Sequence, residues 1–290
     1  QKTENEMALF IVGSVMCKRY RRSIVLINRF FIILFYFNVC AFSSELSKSF
    51  PQGSLVIGQN NEANEIFVDG EPIKISHDGY YVFPISREQI EPINVTYSNS
   101  DGIFLIHQIS IEEQDYDIQR IDGLPEQMVT PLDDEIIKRI IAENEVIKEA
   151  KKLDTDLTYF KEKFIQPTTG IISGVFGSQR ILNGKAKSPH RGIDIAADEG
   201  TPVLSCNEGI VIHAESDLYY TGGTIIIDHG HGVKSIYAHL SSVNVAVNQK
   251  VSKKDIIGKV GSTGRSTGPH LHWGVMVFNT YVDPLFLLEN

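Results

Sequence analysis

Apolar residues are distributed in four ways along this 290-residue chain, and each predicts a different kind of structure. From Phe30 to Phe42 they are almost unbroken. That run is shorter than the ~20 residues a spanning helix needs, but it suits the apolar stretch of a signal peptide. Between 45 and 129 they come as short runs, Leu55-Val56-Ile57, Ile66-Phe67-Val68, Tyr80-Tyr81-Val82-Phe83 and Ile103 to Ile106, parted by Asp69-Gly70, Asp78-Gly79 and Asp101-Gly102. Asp-Gly between apolar runs is a strong turn signal, so this region predicts a small all-β module.

Between 130 and 166 the spacing becomes helical, with Ile136, Ile137, Ile140, Ile141 and Ile147 along one stripe. Thr130 and Pro131 offer an N-cap and a first helical position, Asp133, Asp134 and Glu135 suit the positive end of the helix dipole, and Glu135 can pair with Arg139. The helix is expected to connect two domains and to resume as far as Phe164 after a break at Asp154-Thr155-Asp156. Pro167-Thr168-Thr169-Gly170 marks the next boundary. Beyond it, short strands and frequent glycines predict an antiparallel β-sandwich with its site in a groove. The expected fold is therefore mainly β: an N-terminal β module (45–129), a connecting helix (130–166) and a C-terminal β-sandwich (167–290).

Charge changes the picture at the start of the chain. Lys18, Arg19, Arg21 and Arg22 precede the apolar run, and Val39-Cys40-Ala41 offers a small-residue cleavage site. Residues 1–44 are expected to be a signal peptide, counted most sensibly from Met16. The alternative is an uncleaved membrane anchor beginning near Ile24, with Arg29 reaching the interface. Either way the protein is expected to be exported, to the periplasm or cell envelope, free or anchored in the inner membrane. Residues 1–44 hold six basic and two acidic side chains, which leaves 21 basic and 34 acidic beyond them, a balance of −13. That argues against nucleic acid as a partner, because phosphate binding draws on clustered Lys and Arg. Cys206 is the one cysteine beyond residue 44, so no internal disulfide is expected there.

Candidate chemistry gathers in three pieces near the C-terminus: His190-Arg191-Gly192-Ile193-Asp194, Tyr237-Ala238-His239-Leu240 and Gly268-Pro269-His270-Leu271-His272-Trp273. In extended chain, side chains at i and i+2 or i+4 leave the same face, so His190 with Asp194 and His270 with His272 each form a two-pronged fork. Imidazole and carboxylate suit Zn²⁺, and a catalytic zinc keeps three protein ligands and one open position. His272 leads into the strand-like Trp273 to Phe278, and His239 ends the strand-like Ser235-Ile236-Tyr237, so both would be carried on rigid elements. His229 and His231 repeat the HxH spacing, but Asp228 to Gly232 reads as a hairpin turn, and these two are expected at a mobile turn rather than around a metal. His77 and His107 are expected to be structural. Gly258 to Gly268 lacks the spacing of a phosphate loop and reads as a loop at the groove wall.

From about Gly174 to Leu288 the chain resembles the M23 zinc metallopeptidases, the LytM and lysostaphin type that cut peptidoglycan peptides. HxxxD is present as His190 and Asp194, the YxHL-type segment as Tyr237 to Leu240, and GPHLHW as Gly268 to Trp273. The likeness extends through Phe176-Gly177, Gly200 to Val203, Asp228 to Gly232, Gly261 to Gly264 and Asp283-Pro284. It implies that His190, Asp194 and His272 bind Zn²⁺, with His239 and His270 unligated as the catalytic pair. Such a zinc polarises the scissile carbonyl and lowers the pKa of a bound water to about 7. A neutral His can take the water proton, and a His N–H can stabilise the oxyanion or protonate the departing amine. Which of His239 and His270 does which is left open by the sequence. The absence of HExxH excludes the thermolysin plan.

The implied substrate is the stem peptides of peptidoglycan, at the D-Ala to meso-diaminopimelate cross-link; the alternative function is a non-catalytic activator of cell-wall amidases. Tyr219, Tyr220 and Tyr237 are candidates to line the groove, and Arg180 and Asn183 to contact substrate. Residues 45–125, including the Gln119 to Pro125 exit, resemble the N-terminal β domain of some Gram-negative members; this module or the connector is expected to cover the groove and hold the enzyme latent.

Overall fold

The strands Gly222–Gly230 and Val233–Leu240 are buried at every position, the pattern of a sheet centre covered on both faces. Alternation along Ile225, Ile226 and Ile227 shows how. Ile225 and Ile227 enter one apolar cluster and Ile226 another on the opposite face. Each such side chain contributes about 1.5–3 kcal/mol by leaving water.

The computed structural model describes residues 48–289. The central sheet runs, edge to edge, through Lys250–Val251, Gly209–Leu218, Gly222–Gly230, Val233–Leu240, His270–Val277, Ile193–Ala196 and Ile171–Gly174. Thr280–Val282 adds to His270–Val277, and the neighbours are antiparallel. A smaller sheet of Pro202–Leu204, Ile256–Lys259 and Ser242–Val243 lies over one face, where Val203, Ile257 and Val260 join Val211, Ile225 and Leu240 in the core. Over the other face runs the helix Asp134–Lys151, whose Ile147 packs on Ile212, Ile226, Ile236 and Met276.

Toward the N-terminus, Ser49–Pro51, Gly102–Glu112, Ile93–Asn99, Glu65–Val68 and Glu71–Ile73 form a second sheet, and Leu55–Gln59 pairs with Tyr80–Pro84. Asp69 and Gly70 take φ of 50° and 86° at the hairpin between Glu65–Val68 and Glu71–Ile73, the positive angles a tight turn demands. Tyr81 and Phe83 join the core of this module, whereas Val82 between them points into the core of the central sheet. One strand thus serves two cores.

The helix differs from its sequence reading at both ends. Asp133 is the N-cap, accepting from the N–H groups of Glu135 at 2.9 Å and Ile136 at 3.1 Å. Thr130 instead closes a short helix, Glu126–Val129, by donating its N–H to Glu126 O. The Thr130 hydroxyl meanwhile accepts from Lys185 Nζ at 3.0 Å, and Asp133 takes the capping position. The helix stops at Lys151, and of the expected continuation only the turn Tyr159–Lys161 is helical. Arg139 pairs forward with Glu143 at 2.6 Å, not back with Glu135, which pairs with Lys138. Among the described residues no helix is long and apolar enough to cross a membrane. The expected signal peptide or anchor lies outside the described residues.

Candidate metal centre

Sheet register assembles the site. Asp194 on Ile193–Ala196 stands opposite His272 on His270–Val277, and Ala238 on the next strand also stands opposite His272. Directly opposed residues hold their Cβ atoms about 4.5–5.5 Å apart. His190 lies just before the strand in irregular chain, fixed by its own N–H to Ser178 O and by Gly177 N–H to its carbonyl, both 2.9 Å. His190 Nε2 then lies 3.0 Å from Asp194 Oδ1 and 3.0 Å from His272 Nδ1, and His272 Nδ1 lies 2.9 Å from Asp194 Oδ1. The two forks expected from sequence therefore converge. His270 joins the rim, with Nε2 3.9 Å from Asp194 Oδ1. His239 has φ of 64°, a left-handed backbone costly for a non-glycine residue, and its ring centre is 4.7 Å from that of His270.

Carbonyl oxygens only accept, so they fix which ring nitrogen carries the proton. His190 Nδ1 donates to Val175 O at 2.9 Å, His239 Nδ1 to Thr263 O at 2.8 Å and His270 Nδ1 to Gly268 O at 2.8 Å. When these rings are neutral, each Nε2 keeps a lone pair. Burial pushes His190 down to about 4, against the neighbouring Asp194 carboxylate, which favours the protonated ring. Burial also pushes His239 down to about 3, helped by its neighbours His270 and His272. For Asp194 burial acts to raise the carboxyl, but the imidazoles of His190 and His272 against Oδ1 outweigh it and hold the group far below the usual carboxylate range.

Three lone-pair atoms, one each from His190, Asp194 and His272, lie within 4.8 Å of one another. Tetrahedral zinc with ligands at ~2.0–2.1 Å needs donors about 3.3 Å apart. The donor set and its spacing fit a metal ion.

Two features of this centre were not read from the sequence. Arg180 forms an ion pair with Asp194 Oδ2, leaving Oδ1 for the histidines. Gly174, across the strand, has no room for a side chain, because a Cβ there would lie 2.6 Å from Asp194 Oδ2. Neither residue type announces such a role without the sheet register.

A groove of about 280 Å³ opens beside the centre, walled by Asp194, His239, His270, Arg180 and the loop Arg265 to Gly268. The opposite wall is the module's own exit. Ile118–Ile121 pairs in parallel with Gln179–Leu182, and Gln119 accepts from Arg180 Nε at 3.1 Å. Asn183 exchanges bonds with the backbone of Leu124, Tyr219 Oη donates to Gln127 O at 2.9 Å, and Arg265 donates to Met128 O at 3.2 Å. Leu124 and Val129 pack on Leu182. Arg180, Asn183 and Tyr219 thus face this segment.

Two expectations are corrected. Tyr237 does not line the groove: it is fully buried, and its hydroxyl accepts from Cys206 N–H at 2.9 Å. His231 is at the hairpin turn, as expected, and His229 lies at the end of the strand before it, but both are buried, His229 against Phe164 and His231 against Phe160, because the chain before the sheet folds over this hairpin.

Residues 188–284 match peptidase family M23, a span that contains the candidate ligands and both rim histidines. The chain carries an M23 peptidase domain. In this domain it is 42% identical over 93 residues to peptidoglycan DD-endopeptidase ShyA of Vibrio cholerae, covering 32% of this chain and 21% of that protein. It is 43% identical over 96 residues to DD-carboxypeptidase/endopeptidase Mpg of Neisseria meningitidis, covering 33% of this chain and 22% of that protein. The chain thus spans about a fifth of the length of these relatives. A crystal structure from Pseudomonas aeruginosa described as a peptidase M23 superposes with a TM-score of 0.61 at 26% identity, covering 82% of this chain and 94% of that one. That likeness takes in the module as well as the M23 domain.

Proposed function

We propose that the protein is an exported zinc endopeptidase that hydrolyses the peptide cross-links of peptidoglycan, at the D-Ala to meso-diaminopimelate bond, in the cell envelope. The observation that carries the reading is the convergence of His190, Asp194 and His272 on one point, with two unligated histidines at its rim. Its support from relatives is the naming of ShyA as a peptidoglycan DD-endopeptidase and of Mpg as a DD-carboxypeptidase/endopeptidase. Zn²⁺ held by His190, Asp194 and His272 would polarise the scissile carbonyl and provide hydroxide at neutral pH.

The chain's own groups do the rest. His270 is the more exposed of the rim pair and accepts the proton of the attacking water at Nε2, its Nδ1 remaining bonded to Gly268 O. It returns that proton to the departing amine. His239 is more buried and stays neutral, its Nε2 lone pair orienting the water by accepting a hydrogen bond. Arg180 keeps Asp194 ionised and aimed. Arg180 and Arg265 give the groove a positive wall suited to the carboxylates of a stem peptide. In this reading the segment from Gln119 to Val129 holds the enzyme latent by occupying the groove, and its displacement precedes binding.

Digestion of purified cross-linked peptidoglycan by the zinc-loaded protein, with mass spectrometry of the products, tests the proposal. New peptide ends, absent with His272→Ala and His239→Ala, are expected. The latent state is tested with Leu124→Asp and Val129→Asp, which unseat the segment and are expected to raise turnover. Intact cross-links with wild type and with these opened variants would favour a non-catalytic activator of amidases.

A further inference from the structure

A second cavity, of about 390 Å³, lies where the module meets the M23 domain, apart from the groove. Its wall includes Arg87 and Glu88 after the strand Tyr80–Pro84, Lys151 at the end of the long helix, Phe176, the candidate ligand His190 with Arg191 next to it, and Tyr281 on the last hairpin. Three cations face one carboxylate there, in a chain whose net charge is −9, so the positive cavity does not follow from composition.

Lys151 and Arg191 both lie against Tyr281, and Arg87 lies over Tyr116 at 4.3 Å. Lys151 Nζ lies 5.4 Å from the centre of the Tyr281 ring and Arg191 Cζ 5.2 Å from it. Lys151 Nζ donates to Tyr281 Oη at 2.9 Å, which leaves the phenol hydrogen free to donate in turn. Among the described residues neither Lys151 nor Arg191 lies within ion-pair distance of a carboxylate. Arg87 is weakly partnered by the exposed Glu88 at 3.3 Å and donates Nε to Gly177 O at 2.7 Å.

We infer that this cavity is a binding site for a small dianion, a ligand bearing phosphate or paired carboxylates. Arg191 presents a planar fork that suits either group, and Lys151 and Tyr281 supply further donors from the other side. The ligand answers these cations with charge-assisted hydrogen bonds. It also ties the module to the M23 domain, because Arg87 belongs to one and Arg191 to the other. Gly177, which Arg87 holds, donates to the carbonyl of His190, so an occupied cavity braces the chain next to a candidate ligand. Binding here does not depend on the hydrolytic reading.

The test is calorimetric titration of the full chain with inorganic phosphate and, separately, with citrate, against sodium chloride at matched ionic strength. One site that binds either anion is expected, with affinity falling about tenfold or more in Lys151→Gln and Arg191→Gln and unchanged in Lys138→Gln, a surface lysine elsewhere on the helix. Preference for citrate assigns carboxylates and preference for phosphate assigns a phosphate group. Lys151 ends a helix with no buried residue, so its variant reads the site even where Arg191→Gln fails to fold. Heats no larger than those of chloride, or equal weakening in Lys138→Gln, would overturn the site.

Discussion

Two histidine pairs share the same spacing and belong to the same antiparallel sheet, yet His229 with His231 and His270 with His272 live in opposite surroundings. His229 has both nitrogens answered by the protein: Nδ1 donates to Glu208 O at 2.7 Å, and Nε2 lies 2.7 Å from Ser235 Oγ, which lies 3.1 Å from Tyr237 Oη. His272 instead turns Nδ1 toward the unprotonated nitrogen of His190 and an ionised carboxylate. One histidine completes a closed network inside the protein. The other belongs to a set of lone pairs that a cation completes. Spacing alone does not distinguish them; the difference is whether the sheet supplies a donor or another acceptor opposite the ring.

The comparison breaks most visibly at the acceptor set. His272→Ala is expected to remove both bound zinc, read by elemental analysis, and all measurable hydrolysis, while His229→Leu keeps zinc and turnover per folded molecule. Loss of zinc from the His229 variant would mean that the two clusters are not independent. The rim histidines come next. His270→Gln and His239→Gln are each expected to retain zinc and to lose about 10²–10⁴-fold in kcat, the range for a removed proton-transfer group. Equal zinc loss in these variants would move them into the ligand set.

The same contrast explains what could be read from the sequence. The fork at His270/His272 was legible because strand geometry is local: residues two apart leave one face wherever the strand ends up; His190 instead reaches Asp194 from irregular chain just before the strand, held there by Ser178 and Gly177. The Asp-Gly hairpin of the module was legible for the same reason. Burial of His229 was not, since it depends on Phe164 and Glu208 arriving from distant parts of the chain. Nor was the Arg180–Asp194 ion pair, which needs the strand Gln179–Leu182 brought alongside the site. Thr130 misled because its hydroxyl has capping chemistry, but that hydroxyl accepts from Lys185 Nζ while the backbone of Thr130 ends a four-residue helix too short for its pattern to register.

A smaller effect falls on stability. His229→Leu leaves Glu208 O without its imidazole donor, while Ser235 Oγ keeps Tyr237 Oη, and an unsatisfied buried group of this kind costs about 1–3 kcal/mol. Urea unfolding of the two proteins checks this, and a difference near zero would mean that water or a rearranged Ser235 replaces the ring.

The finest distinction is in pH. Burial pushes His229 down to about 4, with a small opposing effect from its bond to Glu208 O. Unfolded, the ring titrates near ~6.5. Between those values the unfolded chain binds a proton that the folded chain refuses, so stability is present above the unfolded pKa and is lost as pH falls through the window. Over that interval the ring contributes about 3 kcal/mol of pH dependence, less whatever its neighbours share. His229→Gln keeps a polar group in the network but cannot titrate. The variant is therefore expected to unfold more easily than wild type at pH 7 and to draw level with it toward pH 4, the two urea midpoints converging as the pH falls. Parallel midpoint curves would place the acid sensitivity in the other buried histidines and show that the closed network admits a proton without opening.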